Sequence, residues 1–126
     1  MTVQVDTPQI SLNAPSMLVT GISAAASALT LTVPAPNNAT LAVSRQSVIT
    51  GIVLSASGAA SGVITVTIAD GATTILQLDL QLAIATPVTI PLPADIAITL
   101  GNAATVTVSA GATSCVVKGT VSYTYV

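Results

Sequence analysis

The chain has 126 residues, 5% of them charged, with a net charge of −2 and no histidine, phenylalanine or tryptophan. Glutamate is also missing, so the charges are Arg45, Lys118, Asp6, Asp70, Asp79 and Asp95. This is the length of one domain with room for a core. It carries no basic patch to neutralise phosphates, which argues against nucleic-acid binding.

Residues 1–26 alternate poorly and carry Pro8 and Pro15. They are expected to be an N-terminal arm or irregular hairpin, with the domain proper over residues 27–126. "SALTLTVP" then opens a period of two, with Leu29, Leu31 and Val33 on one face and Ala28, Thr30 and Thr32 on the other. Pro34, Pro36 and Asn37-Asn38 end that strand. A short strand is expected around residues 41–43 and a longer one around 48–55. "ASGAASG" reads as a flexible connection.

"VITVTIAD" follows with Ile64, Val66 and Ile68 inward, and Asp70-Gly71 suits a tight turn because glycine tolerates positive φ. In "TTILQLDLQLAIA", Leu76, Leu78, Leu80, Leu82 and Ile84 share one parity, and Gln77, Asp79 and Gln81 the other. A helix would spread those leucines around its circumference. The row reads as a strand too apolar on one face to be peripheral. "VTIPLP" suggests an edge or a bend. "DIAITLG" and "ATVTVSAG" are two further short strands, and a last strand runs over residues 115–126. There Cys115, Val117, Val121, Tyr123 and Tyr125 face inward, and Lys118, Thr120, Ser122 and Thr124 outward.

The mean hydropathy of +0.89 raises the question of a membrane. Ser, Thr, Gln, Gly or Pro interrupts every apolar run, so no spanning helix of about 18 or more apolar residues is present. "MTVQVDTPQ" has no basic start and places Asp6 and Pro8 where a signal peptide needs an apolar core. A membrane β-barrel would want aromatic girdles, and the only aromatics are Tyr123 and Tyr125. The single cysteine, Cys115, forms no intrachain disulfide, in keeping with a reducing compartment.

The inventory for chemistry is thin. Without His or Glu most acid–base devices are missing. Asp70 and Asp95 adjoin turn residues, and Asp79 reads as a solvated or interface carboxylate. No spaced oxygen-ligand pattern suggests calcium. Cys115 has no histidine to activate it and reads as a small buried hydrophobe. Lys118, the only lysine, sits among outward Thr120 and Ser122 as an ordinary exposed residue. "NAT" at residues 38–40 matches a glycosylation acceptor by chance. Tyr123 and Tyr125 share the core parity, so packing is favoured over a sugar-stacking role. No catalytic, cofactor-binding, metal or nucleic-acid site is expected, and the chain is expected not to be an enzyme.

Regular spacing of short strands implies an antiparallel sandwich or closed barrel. The outward faces are rich in hydroxyls and lack the lysines that normally protect sheet edges, which points to surfaces covered in an assembly. Over residues 38–126, "VITGIVLSASGAASGVITVTIADGATTILQL", "TPVTIPLPADIAITLGNAATVTVSAG" and the closing "KGTVSYTYV" are similar in style to small β-sandwich proteins of tailed bacteriophages. Those proteins decorate or cement the icosahedral capsid, often as trimers. The resemblance implies an all-β, antiparallel, jelly-roll-like sandwich of about eight to ten strands. It also implies a structural virion subunit made in the host cytoplasm, a homo-oligomer with trimer favoured, and the major capsid protein or another virion protein as partner, with no membrane or nucleic acid. The alternative reading is a carbohydrate- or receptor-binding module of a fibre, knob or tail.

Overall fold

The computed structural model describes residues 17–36, 45–57, 63–82, 85–109 and 115–126. They form nine strands: β1 (Met17–Ile22), β2 (Leu29–Val33), β3 (Ser47–Ser57), β4 (Ile64–Asp70), β5 (Thr73–Leu80), β6 (Val88–Thr89), β7 (Ile96–Ala97), β8 (Ala104–Val108) and β9 (Val116–Tyr125). No helix occurs among the described residues. The strand expected at 41–43, the acceptor pattern at 38–40, the Gly/Ser run over 58–62, and Ile84 lie outside them.

The strands make two antiparallel sheets. One has the order β1-β9-β3-β6, with β7 also pairing β3; the other has the order β2-β8-β4-β5. The pairing is nested: β1 with β9, β2 with β8, β3 with β6 and β7, and β4 with β5. A chain paired this way is one long hairpin wrapped over itself, which is the jelly-roll form of the sandwich.

The alternation read from the sequence sets the faces. Leu29, Leu31 and Val33 of β2, Ile64, Val66 and Ile68 of β4, and Val106 and Val108 of β8 are buried from one sheet. Ile49, Ile52, Leu54, Val117 and Val121 are buried from the other. At about 1.5–3 kcal/mol for each fully buried Val, Leu or Ile, branched aliphatics alone can drive the collapse. Tyr123 is buried and Tyr125 half-buried against the same core, their rings 5.8 Å apart and tilted. Cys115 is buried, as its parity predicts. Two buried hydroxyls are satisfied: Ser47 Oγ donates to the Pro34 carbonyl at 2.9 Å, and Ser23 Oγ accepts from Val117 N at 3.0 Å.

Three features depart from the sequence reading. Among the described residues the first sandwich strand is β1, which lies ahead of the boundary expected near Ser27 and pairs with β9 along its length. The rest of the expected arm, residues 1–16, lies outside the described residues. Among the described residues strand β5 is the edge of its sheet, although its leucine row reads as non-peripheral. Inward parity requires only a core beneath the strand, and Leu76, Leu78 and Leu80 meet that requirement while half-buried. Last, β3 changes parity. The register with β9 shifts between Ile49 and Gly51, leaving Thr50 as an extra residue, so Ile49 and Ile52 both face the core across a bulge.

The sheets approach closely where two glycines face each other. Gly21 of β1 and Gly119 of β9 are direct cross-strand partners. A Cβ on Gly119 would stand 3.0 Å from Leu29 Cδ2 and from Leu54 Cδ2, and 3.1 Å from Leu31 Cδ1. On Gly21 it would stand 2.6 Å from Leu31 Cδ2. Two missing side chains on one sheet therefore admit two leucines of the other.

Candidate interaction surfaces

The outer face of the five-stranded sheet is set by the register of β1, β9 and β3. One row runs Ile22, Lys118, Ser55, and the next runs Thr20, Thr120, Val53 and on to Thr89 of β6. Leu18 neighbours Ser122 in a third row. Three large apolar side chains stand out of this face, Leu18 64%, Ile22 62% and Val53 41% exposed. Thr20, Ile22, Val53, Ser55, Pro87, Lys118 and Thr120 line a shallow depression of about 570 Å³. Lys118 is exposed there, as its parity predicts, and among the described residues its ammonium is the one charge lining the depression.

The outer face of the other sheet is a hydroxyl array. Thr30 of β2, Thr107 of β8, Thr67 of β4 and Gln77 of β5 form one row. Thr32, Thr105, Ala69 and Thr74 form the next. The hydroxyls and amide bond laterally: Gln77 Nε2 donates to Thr67 Oγ1 at 3.1 Å, and Thr65 Oγ1 donates to Asp79 Oδ1 at 2.7 Å. Asp79 is thus an exposed carboxylate held by its neighbour strand, beside the open edge at β5. Apart from Asp79, the two rows of this face carry hydroxyls, an amide and one alanine and no charge.

Asp70 is a structural hub. It ends β4, and Gly71 follows with φ 60 while Ala72 has no positive φ, the arrangement of a type II′ turn. Its carboxylate accepts from Thr99 N at 3.0 Å, Thr99 Oγ1 at 2.6 Å and Asn102 Nδ2 at 2.9 Å. Those hydrogen bonds, the Thr99 hydroxyl first, hold its carboxyl below the ordinary value of 3.8. Gly71 N also donates to the Ala103 carbonyl at 3.0 Å. The aspartate that reads as a turn residue therefore ties two turns together, which sequence separation hides. Asp95 is exposed just before β7, beside a second depression lined by Thr50, Thr89 and Leu92.

Among the described residues no three His, Cys, Asp or Glu side chains come together in a group that could hold a metal. Cys115 lies buried in the core immediately before β9. Burial pushes the Tyr125 hydroxyl above its usual value of 10.0, with Tyr123 contributing. Tyr123 is buried in the core and Tyr125 packs half-buried against it.

A scan against family models finds no match, and a search of curated proteins finds none. Among solved structures, the cryo-EM structure of the extra small virus particle of the giant freshwater prawn Macrobrachium rosenbergii is similar over 88% of this chain and 79% of that chain. The identity there is 22% and the TM-score 0.37.

Proposed function

We propose that this chain is a non-enzymatic structural subunit of a virus particle, a decoration or cement subunit on a tailed-phage head that assembles as a homo-oligomer. The observation that carries this reading is the outer face of the five-stranded sheet. Ile22 and Val53 line its depression with Lys118, and Leu18 is exposed on the same face two rows from that lysine. Scattered exposed apolar residues are normal, whereas a cluster rimmed by hydroxyls marks an interaction surface. In this reading that face seats on the capsid lattice, and Lys118 meets a carboxylate of the major capsid protein. The trimer comes from the bacteriophage resemblance. The sandwich topology is compatible with this role, since jelly rolls serve capsids, lectins and cupins alike and topology by itself chooses none of them.

The test is direct. Mass spectrometry of purified virions should find the chain at stoichiometric abundance, and Ile22→Asp or Leu18→Asp should reduce occupancy while leaving the thermal melt of the free protein unchanged. Absence from virions, or full occupancy by both variants, would defeat the proposal.

A further inference from the structure

Strand β5 closes one side of the four-stranded sheet, and among the described residues nothing pairs with its outer edge. Proteins usually blunt such edges with lysine, proline or short length. The facing edge of the other sheet does this: β6 and β7 have two residues each, and Pro87, Pro91 and Pro93 flank them. Strand β5 has eight residues and no Lys, Arg, Gly or Pro; its protecting features are one carboxylate, Asp79, and a bulge at Ile75, which leave Leu76–Leu80 regular. The core seam also reaches the open side here, because Leu76, Leu78 and Leu80 are only half-buried.

We infer that β5 is a homotypic docking edge: two copies pair β5 with β5, antiparallel about a two-fold axis through Leu78, and so join two four-stranded sheets into one. The inference rests on reading the chain as an assembly subunit and names how neighbouring copies meet. The register follows from the strand itself. The pairing with β4 shifts between Ile68 and Ala69, which places a bulge at Ile75 and leaves the stretch from Leu76 to Leu80 regular. Leu78 is its midpoint. Opposed residues in an antiparallel pair share a face, so a two-fold at Leu78 sets Leu76 against Leu80 on the inner side. On the outer side it sets Gln77 against Asp79, twice by symmetry. An axis at Asp79 would oppose two carboxylates, and an axis at Gln77 would push Asp79 onto the bulged Ile75.

The regular stretch is about 17 Å long at about 3.4 Å per residue. It buries much less than the about 800 Å² per partner of a standard interface. The contact is therefore weak in free solution and becomes significant once copies are held side by side. It is a lateral link, and a ring such as a trimer closes through other surfaces.

The experiment is sedimentation of the full-length chain from micromolar to millimolar concentration, with two opposed variants at one exposed position. Gln77→Glu places a carboxylate opposite Asp79 twice, and Gln77→Lys places an ammonium there twice. The dimerisation constant should fall roughly 2- to 30-fold for the first and rise by a similar factor for the second, and high salt should shrink both effects. Thermal melts of both variants should match the parent, since Gln77 is exposed and gives only the amide bond to Thr67 on the outer face. Equal shifts for the two variants, or no shift, overturn the inference. So does a parent chain that stays monomeric, or amide protection on β5 that arises only when a different protein is added. Because the assay uses no particles, its failure is separate from absence in virions, which would instead defeat the proposed function.

Discussion

Substituting Gly119 by alanine tests the close approach of the two sheets. The backbone there has no positive φ, so alanine is conformationally acceptable. Shortening the unfolded chain's menu of conformations would by itself stabilise the protein by about 0.4–1 kcal/mol. Packing opposes this. The new Cβ would lie 3.0, 3.0 and 3.1 Å from carbons of Leu29, Leu54 and Leu31, where an ordinary contact is about 3.5–4.0 Å. All three leucines are buried, and they come from β2 and β3 on opposite sheets. Driving three side chains off their rotamers at about 0.5–1.5 kcal/mol each outweighs the backbone gain. Gly119→Ala should therefore lose about 1–3 kcal/mol, or roughly 4–12 °C in Tm for a domain of this size. Urea denaturation should show a lower midpoint with an unchanged slope. Leu29→Ala by itself should lose about 2–5 kcal/mol. Combined with Gly119→Ala it should lose less than the sum, by about 0.5–3 kcal/mol, because it vacates the space the methyl needs. A Gly119→Ala protein as stable as the parent, or additive losses in the pair, would refute the contact.

Asp70 should act as an acid switch on the two turns it joins. Its carboxyl is lowered in the fold by its hydrogen bonds. The stability it contributes is therefore complete above the unfolded aspartate pKa and is lost as pH falls through the lower folded value. Asp70→Asn should flatten the acid limb of the melting temperature below about pH 4 relative to the parent; an unchanged limb would show that another group controls it. Ala26 holds φ 55 in the turn closed by Ser27 N to the Ala24 carbonyl, a region that disfavours a Cβ by about 1–2 kcal/mol. Ala26→Gly should consequently raise stability by about 0.5–1 kcal/mol after the entropy offset, while Ala25→Gly, without positive φ, should lower it in the same melt. Ser47→Ala removes a fully buried donor from the Pro34 carbonyl and should reduce the unfolding free energy by about 1–3 kcal/mol, with a neutral result pointing to a water at that site.

Strand β1 shows why part of the candidate surface escaped the sequence reading. Its inward residues are Met17, Val19 and Gly21, and its outward ones are Leu18, Thr20 and Ile22. Both sides are largely apolar, so no alternation marks it as a strand. The exposure of Leu18 and Ile22 that hides the strand is also what makes the face a docking candidate. In β3 the evidence of a bulge was visible as a slip in spacing, Ile49 then Ile52, around Thr50-Gly51. Without the partner strand that slip has no geometric meaning. Strands β2, β4, β8 and β9 alternate cleanly, and each of their side-chain directions was legible.

The sequence by itself determined the class of structure and, in the cleanly alternating strands β2, β4, β8 and β9, the side each residue takes. Period-two alternation, branched aliphatics and frequent turn residues suffice for that, because those signals act between neighbours in the chain. Tertiary structure alone decided the lateral order of the strands. Pairings such as β1 with β9 and β2 with β8 join opposite ends of the chain, and no local propensity encodes them. That order decides that Gly21 and Gly119 face each other under Leu31, that Asp70 meets Thr99 and Asn102, and that β5 stands at an edge. An uncharged face is a property of sequence; whether it lies over a core, beside a partner strand or at an open border follows from the nesting of the chain.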